Sequence, residues 1–256
     1  MTSLVRGLEV LRVFAGAEEG MTASKICRHT GLSRAVVRRC LYTLMQAGYV
    51  EKFDDRYQPT VKVLSLAQPY CSAAQSLPAV AQPFLESLSQ EINESCSVAV
   101  LDGDDVVYVA RAATKRIMTI SLTIGSRLPA YCTSLGRILL SERSSEELES
   151  YLERITFEQH TVNSITTKRD WKKEMARVRD EGFAMIDEEL EIGLRSIAVP
   201  VLGPQTKMLA AMNVGVQATR VNKTALKKQI LPALQATAAS LSRRLAELHA
   251  VGSLGD

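Results

Sequence analysis

The stretch "GLSRAVVRRCLYTLMQAGYVEK", residues 31–52, places three arginines within six residues, ahead of an apolar stripe. Its apolar residues recur every three or four positions, which is typical of one buried helix face: Val37, Cys40, Leu41 and Leu44. The opposite face then carries Arg34, Ala35, Arg38, Arg39 and Tyr42. Because arginine pairs with guanine edges or phosphates in the major groove, we predict that this helix contacts DNA. A solvated basic surface is the alternative.

The residues before this helix predict a helix-turn-helix. "TASKICRHTG" is helical, with Thr22 or Ser24 as the N-cap and Gly31 just beyond its end. Only the short turn "TGLS" separates it from the arginine-rich helix, whose predicted N-cap is Ser33. An earlier helix, "LVRGLEVLRVF", is expected to bury one face made of Leu4, Leu8, Leu11 and Phe14.

The residues that follow, "YVEKFDDRYQPT", predict a small β-hairpin that turns at Asp54 and Asp55. Such a hairpin is the wing of a winged helix, and it would place Lys52 and Arg56 within reach of phosphates. The charge distribution favours the same function. Residues 1–62 carry a net charge of +4, whereas the remainder of the chain carries −1. We therefore predict a winged helix-turn-helix DNA-binding domain over residues 1–62.

The composition excludes several other classes of protein. The 256 residues suit two compact domains, and no apolar run approaches the roughly 20 residues of a membrane span. The N-terminus lacks the pattern of a signal peptide, so a cytoplasmic protein is expected. The five cysteines contain no CxxC pair and are expected to be buried thiols: Cys27, Cys40, Cys71, Cys96 and Cys132. Neither a metal nor a cofactor is predicted.

Residues 63–93 predict a helical linker that contains three prolines. Pro69 should kink or end its helix, and Pro78 suits the first turn of a second helix that runs towards Asn93. Pro83 lies deeper in that helix and leaves its boundary open.

Residues 94–256 predict a second domain of the α+β class. The pattern changes to alternating residues in "SVAVLDGDDVVYVARA", which indicates a hairpin, and a further strand is expected at 117–125. Residues 128–141 indicate a short helix. Strands and helices do not alternate as in simple βαβ units, so one mixed sheet is expected.

The chain contains no recognisable catalytic motif, and no catalytic residue is assigned. "DEELE", residues 187–191, is either a pair of acid–base carboxylates or a solvated turn. Two other hypotheses remain beside a DNA-binding regulator. One is an enzyme acting on a small organic acid with an appended DNA-binding segment, and the other is a redox sensor that uses Cys132.

The sequence resembles the IclR family of transcriptional regulators over nearly its whole length. The resemblance rests on the opening stretch, on "LDGDDVVYVAR", on "IGSRLPAYCTSLGRILL" and most of all on "GFAMIDEELEIGLRSIAVPV". It implies an N-terminal winged helix-turn-helix and a C-terminal GAF-like domain that binds a small effector, in a homodimer or a dimer of dimers bound to double-stranded DNA. The arginine-rich helix and "RLPAYCTSLGR" are similar to regulators of the β-ketoadipate pathway, which implies control of aromatic-acid breakdown.

The resemblance also implies the residues that bind the organic-acid effector. They lie on four segments and are Tyr131, Thr133, Ser134, Leu135 and Gly136, then Ile186, Asp187 and Glu188, then Ser196 and Asn213. Hydroxyl groups and backbone N–H groups at the start of a helix suit a small acid. Satisfied polar groups of a strand are the alternative for Ser196 and Asn213. Arg127 and Arg137 are candidates to pair with a carboxylate, although Arg137 could instead hold the "DEE" turn in place.

Overall fold

The computed structural model describes residues 2–16, 19–72, 76–114 and 122–252. The chain divides into two compact units, an N-terminal unit of residues 1–72 and a C-terminal unit of residues 73–256. Each unit has its own buried apolar core. Within the described ranges, no helix combines the length and apolar character that a bilayer crossing requires.

The N-terminal unit contains four helices and a small antiparallel sheet. The helices are α1 Thr2–Arg12, α2 Ala23–Thr30, α3 Arg34–Gln46 and α4 Leu64–Ser72. The strands are β1 Met21–Thr22, β2 Val50–Phe53 and β3 Arg56–Pro59, in the order β1-β3-β2. The predicted winged helix-turn-helix is confirmed. The strand β1 adds a third strand to the sheet of the wing, and the sequence pattern did not predict it because it is only two residues long.

Local capping explains the tight turn between α2 and α3. The Thr22 hydroxyl accepts a hydrogen bond from the Lys25 backbone N–H at 3.3 Å, so Thr22 is the N-cap of α2. Gly31 ends α2 in the left-handed region at φ 67°, which glycine adopts without steric cost. Ser33 occupies the N-cap position of α3, but its side chain makes no capping hydrogen bond.

The predicted buried face of α1 is wrong in part. Val10 and Phe14 are buried, whereas Leu4 and Leu8 are 59% and 52% exposed. The reason is that α1 packs on the core only through its C-terminal half. Its first two turns instead border an open groove beside α3.

The predicted linker contains two helices in its described residues, but Pro69 does not end the first of them. The helix α4 continues through Pro69 to Ser72, and α5 spans Leu77–Ile92 with Pro83 inside it. Pro78 lies in the first turn of α5, where its missing N–H costs no helical hydrogen bond. Asn93 ends α5 in the left-handed region, as the predicted boundary required. The division into units places α4 and α5 in different units, inside the predicted linker of 63–93.

The C-terminal unit is built on six strands, with helices on both faces. The strands are β4 Ser95–Asp102, β5 Asp105–Ala112, β6 Arg127–Pro129, β7 Ala184–Asp187, β8 Leu194–Leu202 and β9 Met208–Gln217. The helices are α5, α6 Ser134–Ser141, α7 Ser145–Arg154, α8 Lys168–Glu181, and a closing helix formed by α9 Lys223–Ala225, the π-helical turn Leu226–Ile230 and α10 Leu231–Gly252.

The six strands lie in the order β6-β5-β4-β9-β8-β7, and every pair is antiparallel. The predicted α+β class is confirmed, but the expected mixed sheet is wrong. Hairpins join β4 to β5 and β8 to β9, and the long return from β5 to β9 brings β9 antiparallel to β4. Among the described strands, the short strands β6 and β7 thus lie at the two edges of the sheet.

Helices cover the two faces of this sheet differently. One face packs on α5 and α10 through Val98, Ile197, Met212 and other large apolar residues. The other face packs on α6, α7 and α8 mainly through alanines: Ala99, Ala184, Ala198 and Ala211. Small residues on this second face leave space between the sheet and its helices.

Two predicted element boundaries differ from the structure. The strand expected at 117–125 falls in part on residues 115–121, which lie outside the described residues, and residues 122–125 are not a strand. The helix expected at 128–141 begins only at Ser134. Before it come β6 and a 3-10 turn at Ala130–Cys132, because Pro129 favours extended backbone before the turn.

Candidate functional site

The exposed face of α3 carries the side chains that the sequence predicts to contact DNA. Val37 and Leu41 are buried, and every predicted contact residue on the helix is exposed: Ser33, Arg34, Ala35, Arg38, Arg39 and Tyr42. A guanidinium N–H of Arg34 donates to the Ser24 hydroxyl at 2.8 Å, which ties Arg34 to α2. Within the described part of the chain, the side chains of Arg38 and Arg39 make no hydrogen bond or ion pair.

The wing places one solvent-exposed cation and one fixed cation beside this helix. Lys52 is exposed on β2, with its ammonium 5.8 Å from the centre of the Tyr57 ring. Arg56 on β3 donates to the Glu19 carboxylate and to the Gly20 carbonyl, both at 3.0 Å. Both hydrogen bonds use the same guanidinium nitrogen, Nη1, and they brace the wing against the residues before β1.

A cavity lies in the C-terminal unit, on the face of the sheet that carries small residues. Cross-strand pairing places Arg111, Ser97 and Asn213 in one row across β5, β4 and β9. The neighbouring row runs through four strands and consists of Ser95, Gly215, Ser196 and Ile186. These two rows form the floor of the cavity, and the serines and Gly215 within them leave space between the sheet and the start of α6.

The start of α6 and several apolar side chains close the cavity. Thr133 and Ser134 border it, and the hydroxyls of Ser134 and Ser196 are 2.9 Å apart. Apolar side chains form the remaining wall: Tyr108, Leu122, Leu128, Leu190 and Leu194. The cavity volume is about 40 Å³. A single water needs roughly 10–15 Å³, so the cavity admits a ring-sized molecule only when its lining side chains move apart.

The structure brings five of the ten predicted effector-binding residues together at this cavity: Thr133, Ser134, Ile186, Ser196 and Asn213. The Thr133 hydroxyl is used as the N-cap of α6, where it accepts from the Gly136 N–H at 3.1 Å. Asn213 is buried, and its side chain has no hydrogen-bond partner among the described residues. Asn213 and the Ser134–Ser196 pair are therefore the groups best placed to bind a polar ligand.

The other five predicted residues do not border the cavity, and three of them have polar partners elsewhere. Asp187 pairs with Arg195 and Lys223. The Glu188 carboxylate accepts from the Gly193 backbone N–H at 2.8 Å, and Glu188 itself has left-handed backbone at φ 59°. The Tyr131 hydroxyl lies 3.1 Å from both His160 Nε2 and the Glu158 backbone nitrogen. These contacts fix the loops around the cavity.

Leu135 and Gly136 have a packing role instead. Leu135 is fully buried in the core between the sheet and α6. A Cβ atom at Gly136 would lie 2.1 Å from the Ala130 carbonyl oxygen. The glycine therefore lets α6 start directly against the Ala130–Cys132 turn, which forms one border of the cavity.

Neither arginine nominated from the sequence faces the cavity. Arg127 donates to the carboxylates of Asp102 at 2.6 Å and Asp105 at 3.1 Å. Arg137 is fully buried and donates two hydrogen bonds to the Glu189 carboxylate, at 2.9 and 2.6 Å. The alternative role of Arg137, holding the "DEE" turn, is thus confirmed. With Glu189 paired to Arg137, the carboxylates of the "DEELE" segment nearest the cavity are structural partners and not an acid–base pair.

Sequence reasoning missed Arg111, the arginine that borders the cavity. Its Nη1 donates to the Ser97 hydroxyl at 3.0 Å, and its buried Nε–H has no acceptor in the described structure. Burial lowers the pKa of the Arg111 guanidinium from its ordinary value, yet a group with so high a starting pKa remains charged. Burial also raises the pKa of the neighbouring Tyr108 hydroxyl to about 12.

Cys132 borders the cavity, but its environment disfavours the redox-sensor hypothesis. The thiol is buried and donates weakly to the Pro129 carbonyl at 3.7 Å. Burial raises its pKa to about 12, so it carries almost no reactive thiolate at neutral pH. Within the described ranges, no group of three or more potential ligand side chains is arranged to hold a metal ion.

Comparison with known proteins accounts for both units. Residues 3–53 match the IclR helix-turn-helix domain, and residues 71–243 match the bacterial transcriptional regulator IclR C-terminal domain. The Pca regulon regulatory protein of Pseudomonas putida is 39% identical over 246 residues, which cover 96% of this chain and 84% of that protein.

Two solved structures extend the comparison. A transcriptional regulator of Rhodococcus sp. RHA1 superposes with a TM-score of 0.82 at 43% identity, covering 97% of this chain and 99% of that one. The inducer-binding domain of Acinetobacter PobR, a double mutant in complex with 3-hydroxybenzoic acid, superposes with a TM-score of 0.61 at 36% identity, covering 64% of this chain and 97% of that one. The chain belongs to the IclR family of transcriptional regulators, whose members bind DNA and are not enzymes.

Proposed function

We propose that this regulator binds a small aromatic acid, or a metabolite formed by ring cleavage, and that the bound acid changes its affinity for an operator. Control of aromatic-compound catabolism is the corresponding biological role. The observation that carries the proposal is the cavity in the C-terminal unit, whose floor is small and polar and whose wall is apolar. An aromatic acid presents the same combination of a flat apolar body and polar ends.

Similarity to characterised regulators supports the aromatic class of ligand. The Pca regulon regulatory protein and the PobR inducer-binding domain are 39% and 36% identical to the matched parts of this chain. The PobR domain was solved with 3-hydroxybenzoic acid. We assign effector binding to the five predicted residues at the cavity, and supporting roles to Tyr131, Leu135, Gly136, Asp187 and Glu188.

The DNA contacts are assigned to α3 and the wing of the domain spanning 1–62. The two arginines without intramolecular partners in the described structure, Arg38 and Arg39, are the strongest candidates for contacts with base edges. Arg34, Ser33, Ala35 and Tyr42 lie on the same exposed face, and Lys52 and Arg56 serve the phosphate backbone. We assign DNA binding to residues 1–62 and effector binding to residues 94–256, with residues 63–93 as the linker between them.

The active species is proposed to be a homodimer or a dimer of dimers in the cytoplasm, where its DNA target lies. Leu4 and Leu8 support this assembly, because these exposed leucines border a groove with α3 that a second copy of the chain could cover. The mass of the protein in solution, measured by light scattering, tests this assignment. A monomer at all concentrations would contradict it.

The experiment that tests the function has two stages. Thermal unfolding is first measured with 4-hydroxybenzoate, protocatechuate and β-ketoadipate. An acid present at 100 times its dissociation constant should stabilise the folded protein by roughly 2.7 kcal/mol if it binds only that state. DNA fragments are then selected by the protein from a random pool, and their affinity is measured with and without the stabilising acid. An unmoved unfolding curve with every acid would contradict the proposed ligand class.

A further inference from the structure

Among the described residues, no carboxylate pairs with the charged guanidinium of Arg111. Its one side-chain hydrogen bond goes to the neutral Ser97 hydroxyl, and its buried Nε–H lacks an acceptor among the described residues. Arg137 and Arg195, two other arginines in the interior of this unit, are each paired with a carboxylate. Arg111 therefore differs from them, because it borders a cavity whereas each of them contacts a carboxylate.

An unpaired guanidinium of this kind is costly to bury. A polar group removed from water without a hydrogen-bond partner costs free energy, and the cost is greater for a charged group. The planar guanidinium presents several N–H groups in a fixed fork, which matches the two oxygens of a carboxylate. The cavity that Arg111 borders is where such an acceptor would lie.

We propose that Arg111 binds the carboxylate of the effector and thereby makes the cavity selective for acids over neutral aromatic compounds. This inference rests on the proposed function, because it concerns the ligand of the same cavity. Ser97 orients the guanidinium through its hydroxyl, and Asn213 lies opposite Ser97 in the same cross-strand row. Ser196 lies on the neighbouring row, and its hydroxyl and that of Ser134 on α6 are available to a second polar group of the ligand.

The test compares an acid with its neutral amide. Dissociation constants are measured by calorimetry for 4-hydroxybenzoate and protocatechuate, and for the primary amide of each, with the wild-type protein. The wild type should bind the acid about 10- to 100-fold more tightly than the amide. Arg111→Gln should lose that preference by weakening acid binding while leaving amide binding nearly unchanged.

Arg127→Gln is the matched control, since it removes the same charge from a surface ion-pair cluster outside the cavity. It should retain the wild-type preference for the acid. If Arg111→Gln also retains that preference, the inference is wrong although the proposed function stands. If the wild type binds no acid, the proposed function fails and this inference fails with it.

Two further measurements keep the test decisive if Arg111→Gln does not fold. The wild-type ratio of acid to amide affinity needs no variant, and equal affinities would overturn the proposal. Arg111→Lys keeps the positive charge but loses the planar fork. It should retain part of the acid preference, and a complete loss of acid binding by a folded Lys variant would argue that charge is not the property being recognised.

Discussion

Arg38 is the residue of α3 that we expect to contact a base of the operator. It is exposed on α3 and has no intramolecular partner within the described structure, whereas Arg34 on the same helix donates to Ser24. We expect Arg38→Ala to cost about 1–3 kcal/mol of operator affinity and to relax the sequence preference at one position of each half-site. Binding to the selected operator and to its single-base variants measures both effects.

Lys52→Ala is the matched comparison for Arg38, because Lys52 lies in the wing and is suited to phosphates. It should weaken binding to all sequences alike and reduce the slope of log affinity against log salt by about one. If Arg38→Ala weakens specific and random DNA equally, α3 contacts only the phosphate backbone.

Gly136 shows how one missing side chain shapes the cavity border. Any Cβ atom there would meet the Ala130 backbone at 2.1 Å, and backbone cannot move aside as a flexible side chain can. Gly136→Ala should therefore lower the free energy of unfolding by about 3 kcal/mol, the upper end of the usual cost of overpacking. Urea denaturation measures the loss.

Gly7→Ala is the control for Gly136, since Gly7 lies in helix α1 and a Cβ atom added there would have no neighbouring atom within 4 Å. It should leave stability unchanged or raise it by about 0.5–1 kcal/mol, because alanine favours the helix. Equal effects of the two substitutions would show that helix propensity, and not the contact with Ala130, governs Gly136.

At the scale of elements, Asp187 joins three pieces of the C-terminal unit. It ends β7 and pairs with Arg195 of β8 and with Lys223 at the start of the closing helix. Burial acts to raise the pKa of the Asp187 carboxyl, but the hydrogen bonds from Lys223 and Arg195 outweigh it and leave the pKa below its ordinary value. The carboxylate therefore stabilises the fold above its unfolded pKa, and this stabilisation is lost as the pH falls through the lower folded value.

Asp187→Asn should lower the free energy of unfolding by about 2 kcal/mol at pH 7. The difference from wild type should shrink as the pH falls below about 4, because the unfolded wild-type carboxyl then becomes protonated while the folded carboxylate, with its lowered pKa, still resists protonation. Glu149→Gln is the control, because it removes a surface carboxylate that pairs only with Lys172 among the described residues. A difference between Asp187→Asn and wild type that stays constant from pH 7 to pH 3 would contradict the assignment.

At the scale of the whole molecule, a ligand changes DNA binding only if it binds two arrangements of the protein with different affinity. The cavity and α3 belong to different units, and the chain connects them through α4 and α5. Pro69 lies inside α4 and removes one backbone hydrogen bond from it, which makes α4 a candidate for the element that changes.

Pro69→Ala should leave the affinity for the acid nearly unchanged and alter the ratio of operator affinities with and without acid. Both quantities are measured on the full chain. Pro232→Ala is the control, since Pro232 is also an exposed proline in a helix but belongs to α10, which is not one of the connecting helices. The same ratio in wild type and Pro69→Ala would exclude Pro69 from the coupling.

The sequence alone determined the winged helix-turn-helix, because that unit is specified by local signals. Thr22 caps the start of α2, Gly31 ends it with left-handed backbone, and the exposed arginines follow from helical periodicity. The hairpin β4–β5 was predicted for the same reason. Such features depend on residues within a few positions of each other.

Only the tertiary structure decided which side chains face the cavity. In β5 the pairing skips Val109, since Tyr108 lies opposite Ala99 and Ala110 lies opposite Val98. This bulge shifts the alternation by one residue, so Arg111 falls on the cavity face, where strict alternation from Tyr108 would place Ala110. The carboxylates that Arg127 and Arg137 contact likewise lie 22 or more residues away in the chain. Sequence spacing identifies such charged residues, but long-range pairing decides whether each one meets a carboxylate or an open cavity.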